Sequence, residues 1–316
     1  MAFPRAFQQE ITVLPKISIV TPNKNGAQFL EACMLSILNQ QYPDLEYIVI
    51  DGGSSDNSVE IIKKYEKRLA FWASEPDKSP AEAINKGFQH ATGSIMAWLN
   101  SDDLLFPDSL RIAAEIFTAF PEVDWIMGRP TFVDAKGDII KKFFINKELT
   151  PRPLFVTESM FTAWTRWSKH RFYNNDFLAI QQESTFWRRS LWAQCGNRLN
   201  AEALAFDFDL WLRFFDHAQL YTTTAALGGF RYHSNRQLSI QERKHYVSIC
   251  HELLQKKLNS LPPDEITDSH HRWKKSRFFK PFFYFNIPLL RKRYSNLLEL
   301  PPLITYYYDS KKLKPY

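Results

Sequence analysis

The chain has 316 residues, 45% of them apolar and 15% aromatic, enough for a sizeable core and too apolar for a disordered chain. Its net charge of +6 is unevenly placed: residues 270–316 hold eleven Lys/Arg against Glu299 and Asp309, while the remainder has 29 bases against 32 acids. No run of about 18 apolar residues is present and residues 1–15 lack an apolar leader, which excludes a simple membrane-spanning helix and predicts no export signal. Cys33, Cys195 and Cys250 lie far apart without metal-ligand spacing and suit a reducing, cytoplasmic compartment.

In chain order, Lys16–Val20 reads as a buried strand ending at the turn Thr21-Pro22-Asn23. Phe29, Leu30, Cys33, Met34, Ile37 and Leu38 recur at helical spacing over residues 27–39. A second strand, Glu46–Ile50, stops at Asp51-Gly52-Gly53, and Ser55 or Asp56 can cap the helix that follows. Leu69–Ala73 reads as a strand, Ser79-Pro80 as the start of a helix to about Ala91, and Ile95–Leu99 as a fourth strand. Alternation of buried strands with helices predicts a parallel sheet covered on both faces. Ligands of such sheets bind beyond the carboxyl ends of the strands, where Asn23, Asn25, Asp51 and Asn100–Asp103 fall.

Further along, a helix is expected over 106–120, strands at 124–128 and 130–133, and a hairpin turn at 134–137. Residues 151–175 read as irregular, acceptor-facing loops. Helical periodicity is read over 182–192 and 207–216, and 228–233 as a strand entering a loop. There is no internal repeat.

Adjacent carboxylates at Asp102 and Asp103 repel and need a counter-charge, which a hard divalent cation on phosphate oxygens supplies. The same tetrad also suits a helix N-terminus. Asp51 fits either an Asp-Gly turn or a nucleotide-binding carboxylate. Asp207 and Asp209 fit either first-turn dipole partners or a general base, and His233 either a packed histidine or a metal ligand. No Gly-x-Gly-x-x-Gly follows the first strand, and neither a P-loop nor a Gly-x-Ser-x-Gly elbow occurs, which disfavours dinucleotide oxidoreductases, P-loop NTPases and hydrolases.

The succession Ile17–Asn23, Tyr47–Asp56, Ser74–Lys78, Ala83–Gly87, Ala91–Asp103, Gln182–Arg189, Asp207–Arg213 and Phe230–His233 resembles glycosyltransferase family 2 over roughly residues 16–240. The resemblance implies an α/β GT-A fold. A Rossmann-like nucleotide-binding half (about 16–105) and an acceptor half (about 106–240) would share one mixed sheet, with 241–316 a helical, basic and aromatic extension. It implies inverting transfer from a nucleotide-diphosphate sugar to a glycan or lipid-linked acceptor in cell-surface polysaccharide synthesis. Carried over by position, Thr21, Pro22 and Asn25 line the nucleoside pocket and Asp51 holds the base or ribose. Lys78 and Asn85 contact base or phosphate, and Asn100, Ser101 and Asp102 occupy the Asp-x-Asp motif. Asp102 binds Mn²⁺ or Mg²⁺, with Asp103 close by and His233 a further ligand. Asp207 is the general base and Asp209 the competing candidate. Asn100 removes one charge from the usual motif, and Phe206 stands where an acid often precedes the base. These departures keep open a non-catalytic domain of the same fold that binds nucleotide sugar or glycan.

The segment from His270 mixes its eleven bases with twelve aromatics, which suits a peripheral membrane contact as well as packing against the body. No nucleic-acid-binding motif accompanies it.

Overall fold

The computed structural model describes residues 14–140, 168–174, 180–233, 242–272, 303–307 and 312–315. Four parallel strands form one half of the central sheet: β1 (Ile17–Asn23), β2 (Leu45–Asp51), β3 (Phe71–Ser74) and β4 (Ile95–Trp98). They stand in the order β4-β1-β2-β3, so the apolar runs legible in the sequence become strands covered on both faces. Pro22 is tolerated in central β1 because pairing with β4 ends at Val20–Trp98, leaving the missing N–H without a ladder partner to lose.

The covering helices are α1 (Ala27–Leu38), α2 (Ser58–Tyr65) and α3 (Pro80–His90). The first buries its Phe29, Leu30, Cys33, Met34, Ile37 and Leu38 stripe. Ser79 caps α3 by accepting the Glu82 N–H, with Pro80 in the first turn as the sequence implies. Asp56 accepts the N–H groups of both Ala27 and Ser58, tying the starts of α1 and α2 together.

Beyond β4 the chain departs from simple alternation. Asp103 does not begin a helix: β5 (Leu104–Leu105) follows, and α4 (Ser109–Ala119) starts after Asp108. Then come β6 (Trp125–Met127), β7 (Phe132–Val133) and α5 (Lys169–Tyr173). The helix expected over 182–192 is three elements: a 3₁₀ turn (Gln182–Ser184), β8 (Thr185–Arg188) and α6 (Arg189–Gln194). A four-residue strand buried among aromatics has no alternation to distinguish it from one face of a helix. The remaining elements of this half are α7 (Phe206–His217), β9 (Leu220–Thr223) and β10 (Gly228–Arg231).

β8 lies antiparallel between β4 and β6, and β9 joins β6 in parallel. The sheet is therefore mixed, and the 182–184 turn lies at the carboxyl end of β4. A small sheet, β5-β10-β7, sits beside it. Under α7 the indole of Trp211 stacks on Trp98 (5.8 Å, 6°) and Trp125 (5.5 Å, 22°), fixing that helix to β4 and β6.

The extension contributes α8 (Arg243–Asn259), helical residues 263–272, β11 (Leu303–Tyr307) and β12 (Lys312–Pro315). β11 pairs parallel with β9, and β12 closes that edge antiparallel. The end of the basic segment thus belongs to the sheet, with Ile304 and Tyr306 buried. Its densest basic and aromatic part, 273–300, lies outside the described residues, as do 151–167 and 175 of the expected acceptor-facing loops. No described helix is long and apolar enough to cross a membrane.

Gly87 is where α3 touches β1: a Cβ there would fall 2.5 Å from Val20 Cγ1. Gly87→Ala should lower stability by about 1–3 kcal/mol, seen as a reduced urea midpoint at unchanged m-value. An unaltered midpoint would contradict this close packing.

Candidate active site

Parallel register brings Asn23 opposite Asp51 at the ends of β1 and β2. Asp51 is fully buried and accepts four hydrogen bonds, from Asn23 Nδ2 (2.7 Å), Ser54 Oγ (2.5 Å), Ser54 N (2.9 Å) and Ser74 Oγ (2.7 Å). Burial opposes its charge, but these bonds outweigh it and hold the carboxyl below its usual range. Asn23 Oδ1 is buried and has no hydrogen-bond partner among the described residues. It lies against Gly26, where a Cβ would meet Asn23 Oδ1 at 2.3 Å and Ser101 Oγ at 2.8 Å. Gly26 thereby lets the Asp51 loop and the Asn100–Asp103 loop adjoin.

The other nucleoside-side expectations divide. Asn25, exposed and in the left-handed region (φ 52°), is tied to the same loop by bonds from its N–H to Ser54 and from Ser55 N to its side chain. Thr21 is buried and accepts from Tyr47, and Pro22 is buried beside it. Lys78 is exposed at the start of α3. Asn85 is engaged by the backbone of another loop. Its amide donates to Leu199 O (2.9 Å) and accepts from Leu199 N (2.7 Å), clamping α3 to a distant loop.

At the end of β4 the two carboxylates separate. Asp102 is partly exposed, and its Oδ2 lies 3.2 Å from His233 Nε2. Asp103 is 1% exposed, with its oxygens engaged by Arg231 N (2.8 Å) and Asn100 Nδ2 (3.4 Å). Burial first, then the charges of Asp102 and Glu183, push the Asp103 carboxyl well above the usual range. The two adjacent carboxylates thus meet different neighbours: Asp103 accepts from β10, while Asp102 faces His233. Asn100 donates between Asp103 and Gln182 (3.3 Å), a place where a further carboxylate would add repulsion. Arg231 Nε reaches the Asp102 carbonyl (2.6 Å) and completes the brace.

Among the described residues no three His, Cys, Asp or Glu side chains converge into a metal cage. Asp102 and His233 bring together two side chains of types that can ligate a cation. That number fits a hard cation that takes its remaining ligands from phosphate oxygens and water.

Asp207 starts α7, partly buried, and accepts Tyr246 Oη on both oxygens at 3.0 Å. Burial raises its carboxyl, partly offset by bonds from the Phe208 N–H and Tyr246. Asp209 is instead paired with Arg213 (2.8 Å), whose guanidinium also caps the Cys195 carbonyl. The competing candidate is therefore committed to a helix-surface ion pair.

Glu183 was not singled out from the sequence. It is 5% exposed, and its Oε1 has no hydrogen-bond partner among the described residues. Its carboxyl is pushed up to about 8, chiefly by burial and also by the charges of Asp102 and Asp207. Only its place in Gln182–Arg189 could have signalled it.

The profile of Glycosyl transferase family 2 matches residues 18–187, more than half of the chain. The chain belongs to glycosyltransferase family 2. An uncharacterized glycosyltransferase of Haemophilus influenzae is 34% identical over 139 residues, 43% of this chain and 55% of that protein. A putative teichuronic acid biosynthesis glycosyltransferase of Bacillus subtilis, TuaG, is 34% identical over 100 residues, 31% of this chain and 40% of that protein. The chain thus spans only about half the length of such relatives. Among solved structures, S. aureus TarS 1-349 in complex with UDP-GlcNAc gives a TM-score of 0.58 at 15% identity, over 84% of this chain and 72% of that one. Mannosyltransferase PcManGT from Pyrobaculum calidifontis, in complex with GDP-Man and Mn²⁺, gives 0.54 at 16%, over 86% and 69%. The family 2 chain accordingly has the GT-A fold.

Glu183→Gln keeps the shape of the side chain and removes its titration. The carboxyl ionises near 4 when unfolded and near 8 when folded, so its contribution favours the fold at low pH and is lost as pH rises through that window. The variant should therefore gain progressively on wild type from pH 4 to 8, melting several degrees higher at the upper end. A pH-independent difference in melting temperature would contradict the buried, neutral acid.

Proposed function

We propose that this family 2 chain is an inverting glycosyltransferase that uses a nucleotide-diphosphate sugar, with Asp207 as the general base. The observation that carries the reading is the pair Asp102–His233 at 3.2 Å, together with Asp207, a partly buried carboxylate that meets a phenol and no cation among the described residues. The nucleoside would reach the Asp51 loop by turning aside a serine hydroxyl, and orphaned Asn23 Oδ1 offers an acceptor for a ligand N–H or O–H. When bound at Asp102 and His233, Mn²⁺ or Mg²⁺ supplies positive charge for the diphosphate. Exposed Lys78, four residues beyond β3, would add a further positive charge for the diphosphate. Asp207 takes the acceptor hydroxyl proton while that oxygen bonds to the anomeric carbon. The bond to the diphosphate breaks, and its electron pair leaves on the diphosphate oxygen. One base and one displacement invert the centre without a covalent enzyme intermediate.

The similarity to TuaG supports a role in polysaccharide assembly, with a glycan or lipid-linked acceptor. Residues 273–300 contain seven Lys/Arg and eight aromatics, a composition suited to anionic membrane surfaces. Reversing Arg291, Lys292 and Arg293 to Glu should abolish salt-sensitive pelleting with anionic liposomes. Equal pelleting of the variant would remove the membrane contact from the account.

The catalytic test starts with UDP- and GDP-linked sugars screened by thermal shift with Mn²⁺. With the donor so found, Asp207→Asn should lower kcat by about 10²–10⁴-fold and retain donor binding. Asp102→Ala should weaken metal-dependent donor binding, and Asp209→Asn should keep most turnover. Full turnover by Asp207→Asn would reject this base, whereas donor binding without any turnover in the wild type would favour the non-catalytic reading.

A further inference from the structure

The contact between α8 and Asp207 takes no part in the displacement itself. α8 runs alongside α7 and touches both of its ends: Tyr246 at Asp207, and Lys257 Nζ at Asp216 Oδ2 (2.6 Å). Buried Cys250 and Leu254 anchor the helix between those contacts. The phenol has one proton to donate, and it lies 3.0 Å from each carboxylate oxygen, so it constrains the orientation of the whole group.

Groups from three elements face Asp207. Tyr246 and Cys250 come from α8, and Glu183 from the 182–184 turn. On α7 itself the Asp207 and Phe208 N–H groups contribute, while Asp209 is taken by Arg213. Among the described residues Asp207 has no ion-pair partner, so the phenol is the strongest side-chain donor it meets.

Building on the assignment of Asp207 as base, we infer that Tyr246 is its positioning residue: the phenol O–H fixes the carboxylate toward the acceptor hydroxyl from a helix outside the stretch that carries the family motifs. Burial, and next the charge of Asp207, hold the phenol itself far above its usual range, so it remains a donor across the working pH. Its hydrogen bonds favour the carboxylate form of Asp207, against the burial that raises it. Removing the hydroxyl should therefore raise the pH below which the base is lost.

The test compares wild type, Tyr246→Phe and Leu254→Ala in the full chain. Leu254→Ala loosens the same helix but keeps the phenol. Two readouts are taken: the pH profile of kcat/KM with the nucleotide sugar that the wild type turns over, and a ¹³C-carboxyl NMR titration of Asp207, which needs no substrate. Tyr246→Phe should move both the acid limb and the NMR midpoint up by about one pH unit, while Leu254→Ala moves neither. Coincident Tyr246→Phe and wild-type profiles, an equal shift in Leu254→Ala, or an NMR shift without a kinetic one would each overturn the inference. Failure of the base assignment itself reads differently: Asp207→Asn would then turn over normally, whatever the NMR midpoints do.

Discussion

The site depends on one buried contact, the Asp103 carboxyl group accepting the Arg231 N–H. Asp103 follows the four parallel strands, and Arg231 ends β10, 128 residues later. Joining them places His233, two residues beyond Arg231, against Asp102. Burial this deep favours the neutral acid, which lets Asp103 sit beside Asp102 without adding a second full charge. The Arg231 side chain adds its bond to the Asp102 carbonyl and holds the same corner from the other direction.

Around that brace the acids differ because their surroundings differ. Asp51 is buried yet charged, since four donors surround it. Asp103 and Glu183 are buried with too few donors and shift upward. Asp209 meets a guanidinium, whereas Asp207 meets a phenol. Residue type alone does not separate these five carboxyl groups; the neighbours each fold position supplies do.

The β4-β1-β2-β3 half of the sheet was legible because its signals are local. Unbroken apolar strands, the α1 stripe and the Ser79-Pro80 cap each lie within a dozen residues, and they predict a parallel sheet; its register aligns Asn23 with Asp51. β8 was read as helix because four buried aromatic-rich residues carry no period. β11 and β12 lie in a segment whose charge and aromatics look like a surface tail, and the burial of Ile304 and Tyr306 in β11 appears only once β9 offers an open edge. Tyr246 and Glu183 were missed for a related reason. Tyr246 reaches across 39 residues from an exposed-looking helix, and Glu183 stands within a run that reads as helical packing.

The central claim is that a cation and its diphosphate sit at Asp102 and His233, within reach of Asp207. Paramagnetic broadening of backbone NMR signals by Mn²⁺ with UDP or GDP tests it most directly. Ser101, Asp102 and His233 should broaden first, followed by the start of α7, with the effect lost in Asp102→Ala. Broadening centred on another acidic surface, or unchanged by Asp102→Ala, would contradict the account.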